Sequence, residues 1–184
     1  MCHRFALNTN NKHELRLVYD YKLILPENKM VILGSNAYYL YKEGNGSISL
    51  SQAKFGLKIF DKTIYNARCE TLLEKNIFRE DYISHKGVFP CSYFFEHDES
   101  NSDHKFELLK VDIGYLAGFI VNDSFILITR GSYPDLDMFK RLPVVLSEQE
   151  VDIFLNSKDD TRILTKFDSI KYHISGISDQ IKLF

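Results

Sequence analysis

Between residues 30 and 129 the chain is a succession of short apolar runs, each closed by a turn signal, and this pattern restricts the fold more than any other feature. Met30-Val31-Ile32-Leu33 meets Gly34-Ser35, and Ala37 to Tyr41 resumes beyond it. Short β-rich runs bounded by Gly, Asn, Asp or Ser are strands, and the Gly34-Ser35 pair reads as the turn of a hairpin joining them. Gly44-Asn45-Gly46 marks a second turn, and Ile48 to Leu57 alternates before Gly56 interrupts it. Gly87 to Phe95, Lys105 to Val111, Tyr115 to Val121 and Phe125 to Thr129 read as further strands, with Asn122-Asp123 turning the last two into a hairpin. Helices are few. One is expected from Glu70 to Lys75 with Leu72, Leu73 and Ile77 on its face, and one from Asn11 to Tyr19 with Leu15 and Val18 facing in. A third follows Ser147-Glu148-Gln149-Glu150, a capping box ahead of the apolar stripe Val151, Phe154 and Leu155. Many strands with scattered short helices predict a single α+β domain over residues 1–184, its sheet curved and largely antiparallel.

Composition bounds the function. At 184 residues and 45% hydrophobic the chain can bury a core without a staple. Its net charge of −2 excludes a protein that coats nucleic acid by bulk positive charge, so any polyanion must meet a local patch. Lys54, Lys58, Lys62 and Arg68, together with Arg130, Lys140 and Arg141, are the candidates to line one basic groove. No run of 18 apolar residues is present and the amino terminus has no apolar signal core, so a cytoplasmic protein without membrane contact is expected. The three cysteines, Cys2, Cys69 and Cys91, lack CxxC spacing, which argues against a zinc site or a disulfide framework. No metal and no cofactor is expected.

Cys2 stands out chemically. Removal of Met1 would leave a terminal 1,2-aminothiol, whose amine has a pKa of about 7.7–8.0 and is partly neutral near pH 7. Such an amine attacks an aldehyde to give a Schiff base, and the tethered thiol closes a five-membered thiazolidine. Tyr65-Asn66-Ala67-Arg68-Cys69-Glu70-Thr71 offers the Asn66 amide and the Arg68 fork, suited to phosphate oxygens. Pro90-Cys91-Ser92-Tyr93-Phe94-Phe95-Glu96-His97 ends an aromatic strand in a carboxylate, and burial of Glu96 would raise its pKa toward that of a general acid.

Taken in order, these segments resemble the SOS-response-associated peptidase (SRAP) family of abasic-site processing proteins. Met1-Cys2-His3-Arg4-Phe5 matches its Met-Cys-x-Arg-Phe start, and Phe55-Gly56-Leu57 loosely matches Trp-Gly-Leu. Asn66, Ala67, Arg68, Glu70 and Thr71 complete Asn-Ala-Arg-x-Glu-Thr. Pro90, Phe94, Phe95 and Glu96 match the next motif, with His97 in its Trp place. Ala117-Gly118-Phe119 and Arg141-Leu142-Pro143-Val144-Val145-Leu146 follow in register.

The resemblance implies a monomer that senses abasic sites in single-stranded DNA and forms a covalent thiazolidine crosslink through Cys2, protecting the lesion on damaged, nucleoid-associated DNA. It assigns catalytic parts to Cys2, Asn66 and Glu96 and DNA contacts to Arg4 and Arg68. The chain departs from the pattern in three ways. The family histidine four residues before the proline of Arg-x-Pro is Phe139 here, with His3 and His97 as possible replacements. The Tyr-Asn-x-Ala-Pro segment survives only as Tyr21 and Pro26, and no Trp remains. Two alternatives follow: a non-catalytic single-stranded DNA-binding module, or an autoprocessing cysteine-type peptidase.

Overall fold

The computed structural model describes residues 2–8, 14–16, 22–24, 26, 28–74, 76–109, 111, 113–157, 161–165 and 170–175. In chain order the strands are β1 (Arg4–Leu7), β2 (Glu14–Arg16), β3 (Lys22–Ile24), β4 (Asn28–Ile32), β5 (Asn36–Lys42), β6 (Ile48–Phe55), β7 (Leu57–Ile59), β8 (Lys62–Ile64) and β9 (Asn66–Arg68). They continue as β10 (Lys86–Cys91), β11 (Tyr93–His97), β12 (Asp103–Leu109), β13 (Gly114–Val121), β14 (Ser124–Gly131), β15 (Arg141–Pro143), β16 (Val145–Leu146) and β17 (Lys171–Ile174). The helices are α1 (Asn76–Ser84), α2 (Glu148–Asn156) and α3 (Thr161–Thr165). The fold is α+β, as the turn and strand pattern predicts.

β14, β6, β5, β10 and β13 pair in succession, and β13 pairs back to β14, which closes a five-strand ring. Closure removes free edges from these strands. β9 and β15 extend the ring from β14, and β16 extends it from β13. The pairings are antiparallel except that β14 runs parallel to both β6 and β9. A second sheet, ordered β17-β12-β11-β1-β4, is antiparallel throughout.

The unbroken apolar runs are explained by burial on both faces of the ring, since a strand covered on both sides has no polar face to alternate. Phe89 and Cys91 of β10, Leu116 of β13, and Phe125 and Leu127 of β14 join one core cluster. Their intervening neighbours Val88, Tyr115, Ala117, Phe119, Ile126 and Ile128 join another, under Phe78 and Tyr82 of α1 and Val151 and Phe154 of α2. In the first cluster Phe125 stacks on Phe89 at 4.0 Å and on Phe55 at 4.7 Å. Phe5, from the strand just after Cys2, meets all three rings edge-on and anchors the start of the chain in the core. The Ser147 capping box forms as read, with the Glu150 carboxylate accepting the Ser147 N–H at 2.9 Å.

Four expectations are corrected. The Gly34-Ser35 turn forms, with Gly34 at φ +86°, but the strands it joins do not pair with each other. β4 pairs with β1 in the second sheet and β5 with β6 and β10 in the ring, so this is a corner between sheets. The run Gly87 to Phe95 likewise divides at Ser92 into β10 in the ring and β11 in the second sheet. A turn is encoded locally, whereas the partner strand is chosen by distant residues. The helix expected from Glu70 begins later: residues 69–71 make one 3-10 turn, and α1 starts at Asn76. The expected Asn11–Tyr19 helix is extended at Glu14–Arg16, which pairs with Lys22–Ile24; its other residues, and Tyr21, lie outside the described ones.

Gly118 is needed for close approach. A Cβ there would lie 2.8 Å from the Ile126 carbonyl oxygen and 2.8 Å from the Phe89 ring. Neither neighbour can withdraw without disturbing the β13–β14 ladder or the aromatic stack. Gly118→Ala is therefore expected to lower the unfolding free energy by about 1–3 kcal/mol, measured by denaturant titration.

Candidate functional site: a buried cysteine between Asn66 and Glu96

Three segments far apart in sequence meet at Cys2. β1 is held between β11 and β4, with Arg4 opposite Phe95 and Phe5 opposite Phe94. Asn66 opens β9, which lies along β14 with Asn66 opposite Leu127. From there the Asn66 amide donates from Nδ2 to the Cys2 carbonyl at 2.9 Å. Its Oδ1 is buried and has no hydrogen-bond partner among the described residues. A buried carbonyl in that state is an acceptor poised for a donor, since leaving it unmatched costs about 1–3 kcal/mol.

Glu96 is fully buried on the inward face of β11, whose residues alternate between half-buried Tyr93, Phe95 and His97 and buried Phe94 and Glu96. Burial pushes its carboxyl up to about 7, against the opposing pull of the amino-terminal charge. A carboxyl in that range can both hold and release a proton near neutrality.

Cys2 is fully buried, with Sγ 3.8 Å from the Arg4 carbonyl. Burial raises its thiol well above the usual range, and the charges of Glu96 and Cys91 push it further the same way. The side chain is enclosed, and its sulfur is held as the thiol.

The two arginines are placed differently. Arg68 is two residues beyond Asn66 on the same short strand, so the two share a face, and Arg68 is exposed. Arg4 lies over the Phe95 ring, 3.9 Å from its centroid, and pairs with Asp103. Because Phe95 and Glu96 point to opposite faces of β11, Arg4 is on the far side of the sheet from Glu96. Of the basic candidates, Lys54, Lys58, Lys62 and Lys140 are exposed. Arg141 is committed to Glu70 at 2.6 Å and to the Thr129 hydroxyl at 3.1 Å. Arg130 is buried against Tyr133.

Phe139, in the place of the family histidine, is a core residue, edge-on to Phe106 at 5.0 Å and to His104 at 5.3 Å. His104 is the nearby imidazole that motif reading missed. Its two nitrogens are engaged, with Asp98 at 2.9 Å and the Ser175 carbonyl at 3.1 Å. The alternation of β12, which buries both His104 and Phe106, is the signal that could have found it. His3 and His97 stack on each other at 4.3 Å, on the Arg4 face.

Fold and site together define a class: an α+β barrel protein whose second residue, a cysteine, is held by an asparagine and neighboured by a buried glutamate. The chain belongs to the SOS response associated peptidase (SRAP) family, whose model matches residues 1–182. It is thereby a protein of the DNA-damage-associated SOS class. Three solved structures share the fold. A protein from Bordetella bronchiseptica has a TM-score of 0.73 and 15% identity, covering 96% of this chain and 100% of that one. A phage-related protein from the same organism has a TM-score of 0.68 and 14% identity over 89% of this chain and 86% of that one. A protein from Bacteroides thetaiotaomicron has a TM-score of 0.67 and 19% identity over 94% and 91%. No curated protein sequence matches the chain. No helix among the described residues is long and apolar enough to cross a membrane.

Proposed function

We propose that the mature protein, with Met1 removed, captures abasic sites in single-stranded DNA as a thiazolidine on Cys2. The neutral Cys2 amine adds to C1′ of the ring-opened sugar aldehyde to form a carbinolamine. Loss of water gives the Schiff base. The Cys2 sulfur then adds to the imine carbon, its proton passes to the nitrogen, and the ring closes. The balance is aldehyde plus aminothiol to thiazolidine plus water. Glu96 carries protons, giving one to the departing hydroxyl and accepting one as the thiol is consumed. The free Asn66 Oδ1 accepts from the amine or from a sugar hydroxyl.

The observation that carries this reading is the Asn66–Cys2 hydrogen bond across 64 residues, with Glu96 acting on the same cysteine. Removing Met1 converts the backbone nitrogen of Cys2 into the amine. The buried position of Cys2 requires the terminus to open before a sugar can enter. The test is intact-mass analysis of the mature protein mixed with an abasic oligonucleotide. A denaturation-resistant adduct is expected, lighter than the sum of its parts by one water. Equal binding of intact and abasic strands with no adduct would instead establish a non-catalytic binding module, the reading that the enclosed Cys2 and Phe139 favour.

Phe60 is a further candidate contact for the proposed strand. It is 91% exposed in the turn between β7 and β8, with exposed Lys58 and Lys62 beside it. An aromatic ring between two cations suits an unstacked base and its phosphates. Phe60→Ala is expected to weaken single-strand binding by about 1–3 kcal/mol per stacked base, read by fluorescence anisotropy, with thermal stability unchanged.

A further inference from the structure

The outer face of the second sheet carries a side-chain cluster that the Cys2 chemistry does not use. His3 lies just before β1, His97 ends β11 and Asp103 begins β12, with His97 and Asp103 directly opposite in register. Three adjacent strands thus bring two imidazoles and a carboxylate together. His3 Nε2 is 3.8 Å and His97 Nε2 4.0 Å from the same oxygen, Asp103 Oδ1. One donor atom from each of the three lies within 4.8 Å of the others.

We propose that His3, His97 and Asp103 bind a divalent transition cation, Zn2+ in the first instance, with remaining coordination positions open to water. Tetrahedral zinc with ligands at about 2.0–2.1 Å spaces its donors about 3.3 Å apart, so the two imidazole–carboxylate gaps need to close by about 0.5 and about 0.7 Å. Two neutral imidazoles and one carboxylate are a borderline donor set that selects zinc-like ions over Ca2+ and Mg2+, which prefer oxygen.

Arg4 supplies the outer support. It pairs with Asp103 Oδ2, which leaves Oδ1 facing the two imidazoles and fixes the plane of the carboxylate. The three ligand side chains are 23%, 35% and 30% exposed, enclosed enough to be oriented and open enough for an ion to enter. His97 faces away from Glu96 across β11, so this site and the buried cysteine occupy opposite sides of one sheet. A bound ion would tie the start of β1 to β11 and β12 and so restrain the residue that follows Cys2.

The experiment is calorimetric titration of untagged protein with ZnCl2 in a Cys2→Ala background, where no thiazolidine can form, so its outcome is independent of the proposed crosslink. One equivalent is expected to bind, and His97→Ala and Asp103→Asn are each expected to lower affinity at least tenfold. The Cys2→Ala protein and its His3→Ala, His97→Ala and Asp103→Asn derivatives should show the same far-ultraviolet circular dichroism, because the substituted ligand side chains are partly exposed. Absence of saturable binding overturns the proposal. So does binding that survives both His97→Ala and Asp103→Asn but is lost in His3→Ala, which is chelation by the amino-terminal peptide alone.

Discussion

Cys2→Ala is expected to remove the stable abasic-DNA adduct, lowering its yield at least about a hundredfold on a denaturing gel. Alanine is also small, so Met1 is still trimmed and a terminal amine is still present. The variant can form the Schiff base, which borohydride traps, but it has no sulfur to close the ring. Without reductant the imine returns to amine and aldehyde. The missing step is an intramolecular addition, whose effective molarity reaches about 10⁵–10⁸ M in well-oriented systems, and so the loss is large. Cys91 cannot substitute: it is fully buried and its nitrogen is an amide within β10. An undiminished adduct in Cys2→Ala without reductant would exclude the thiazolidine. A protein that still carries Met1 is expected to behave like the variant, because its Cys2 nitrogen is an amide.

Glu96→Gln has the second large effect, in two opposed directions. The carboxyl is shifted from 4.5 to about 7 chiefly by burial, a change worth about 3 kcal/mol. The native state therefore binds this proton more tightly than the unfolded chain does. The stability associated with it is complete below about pH 4.5 and is lost as pH rises through about 7. Glutamine has no charge to desolvate. The difference in unfolding free energy between variant and parent is expected to be small at pH 4.5 and to rise by about 3 kcal/mol in favour of the variant by pH 7.5, read by denaturant titration across that range. A flat difference would mean that Glu96 titrates normally. Crosslinking, by contrast, is expected to slow about 10²–10⁴-fold, the usual worth of a positioned proton carrier. The same variant separates self-processing from housekeeping: retention of Met1 only in Glu96→Gln, seen in its mature mass, identifies Glu96 as part of the autoprocessing apparatus.

Much of the architecture was legible because it is encoded locally. The Asn122-Asp123 hairpin, the Gly44-Asn45-Gly46 turn, the break at Gly56 and the Ser147 capping box all follow from residues adjacent in the chain. What stayed hidden was pairing over distance. Gly34-Ser35 and Ser92 bend the chain, but only the aromatic core around Phe5, Phe89 and Phe125 decides that each bend changes sheets. The early segment misled because Leu15 and Val18 suit a helical spacing, whereas Glu14–Arg16 satisfies its backbone against Lys22–Ile24.

The same division runs through the site. The residue types and their order made Cys2, Asn66, Arg68 and Glu96 candidates and pointed to the family whose model spans residues 1–182. Tertiary structure alone separated Glu96 from His97 and Arg4, enclosed Cys2, made Phe139 a core ring against His104, and set Asp103 before two imidazoles. The physical reason is the two-residue period of a strand. Neighbours in sequence point to opposite faces, and which face is the interior depends on strands contributed from elsewhere in the chain.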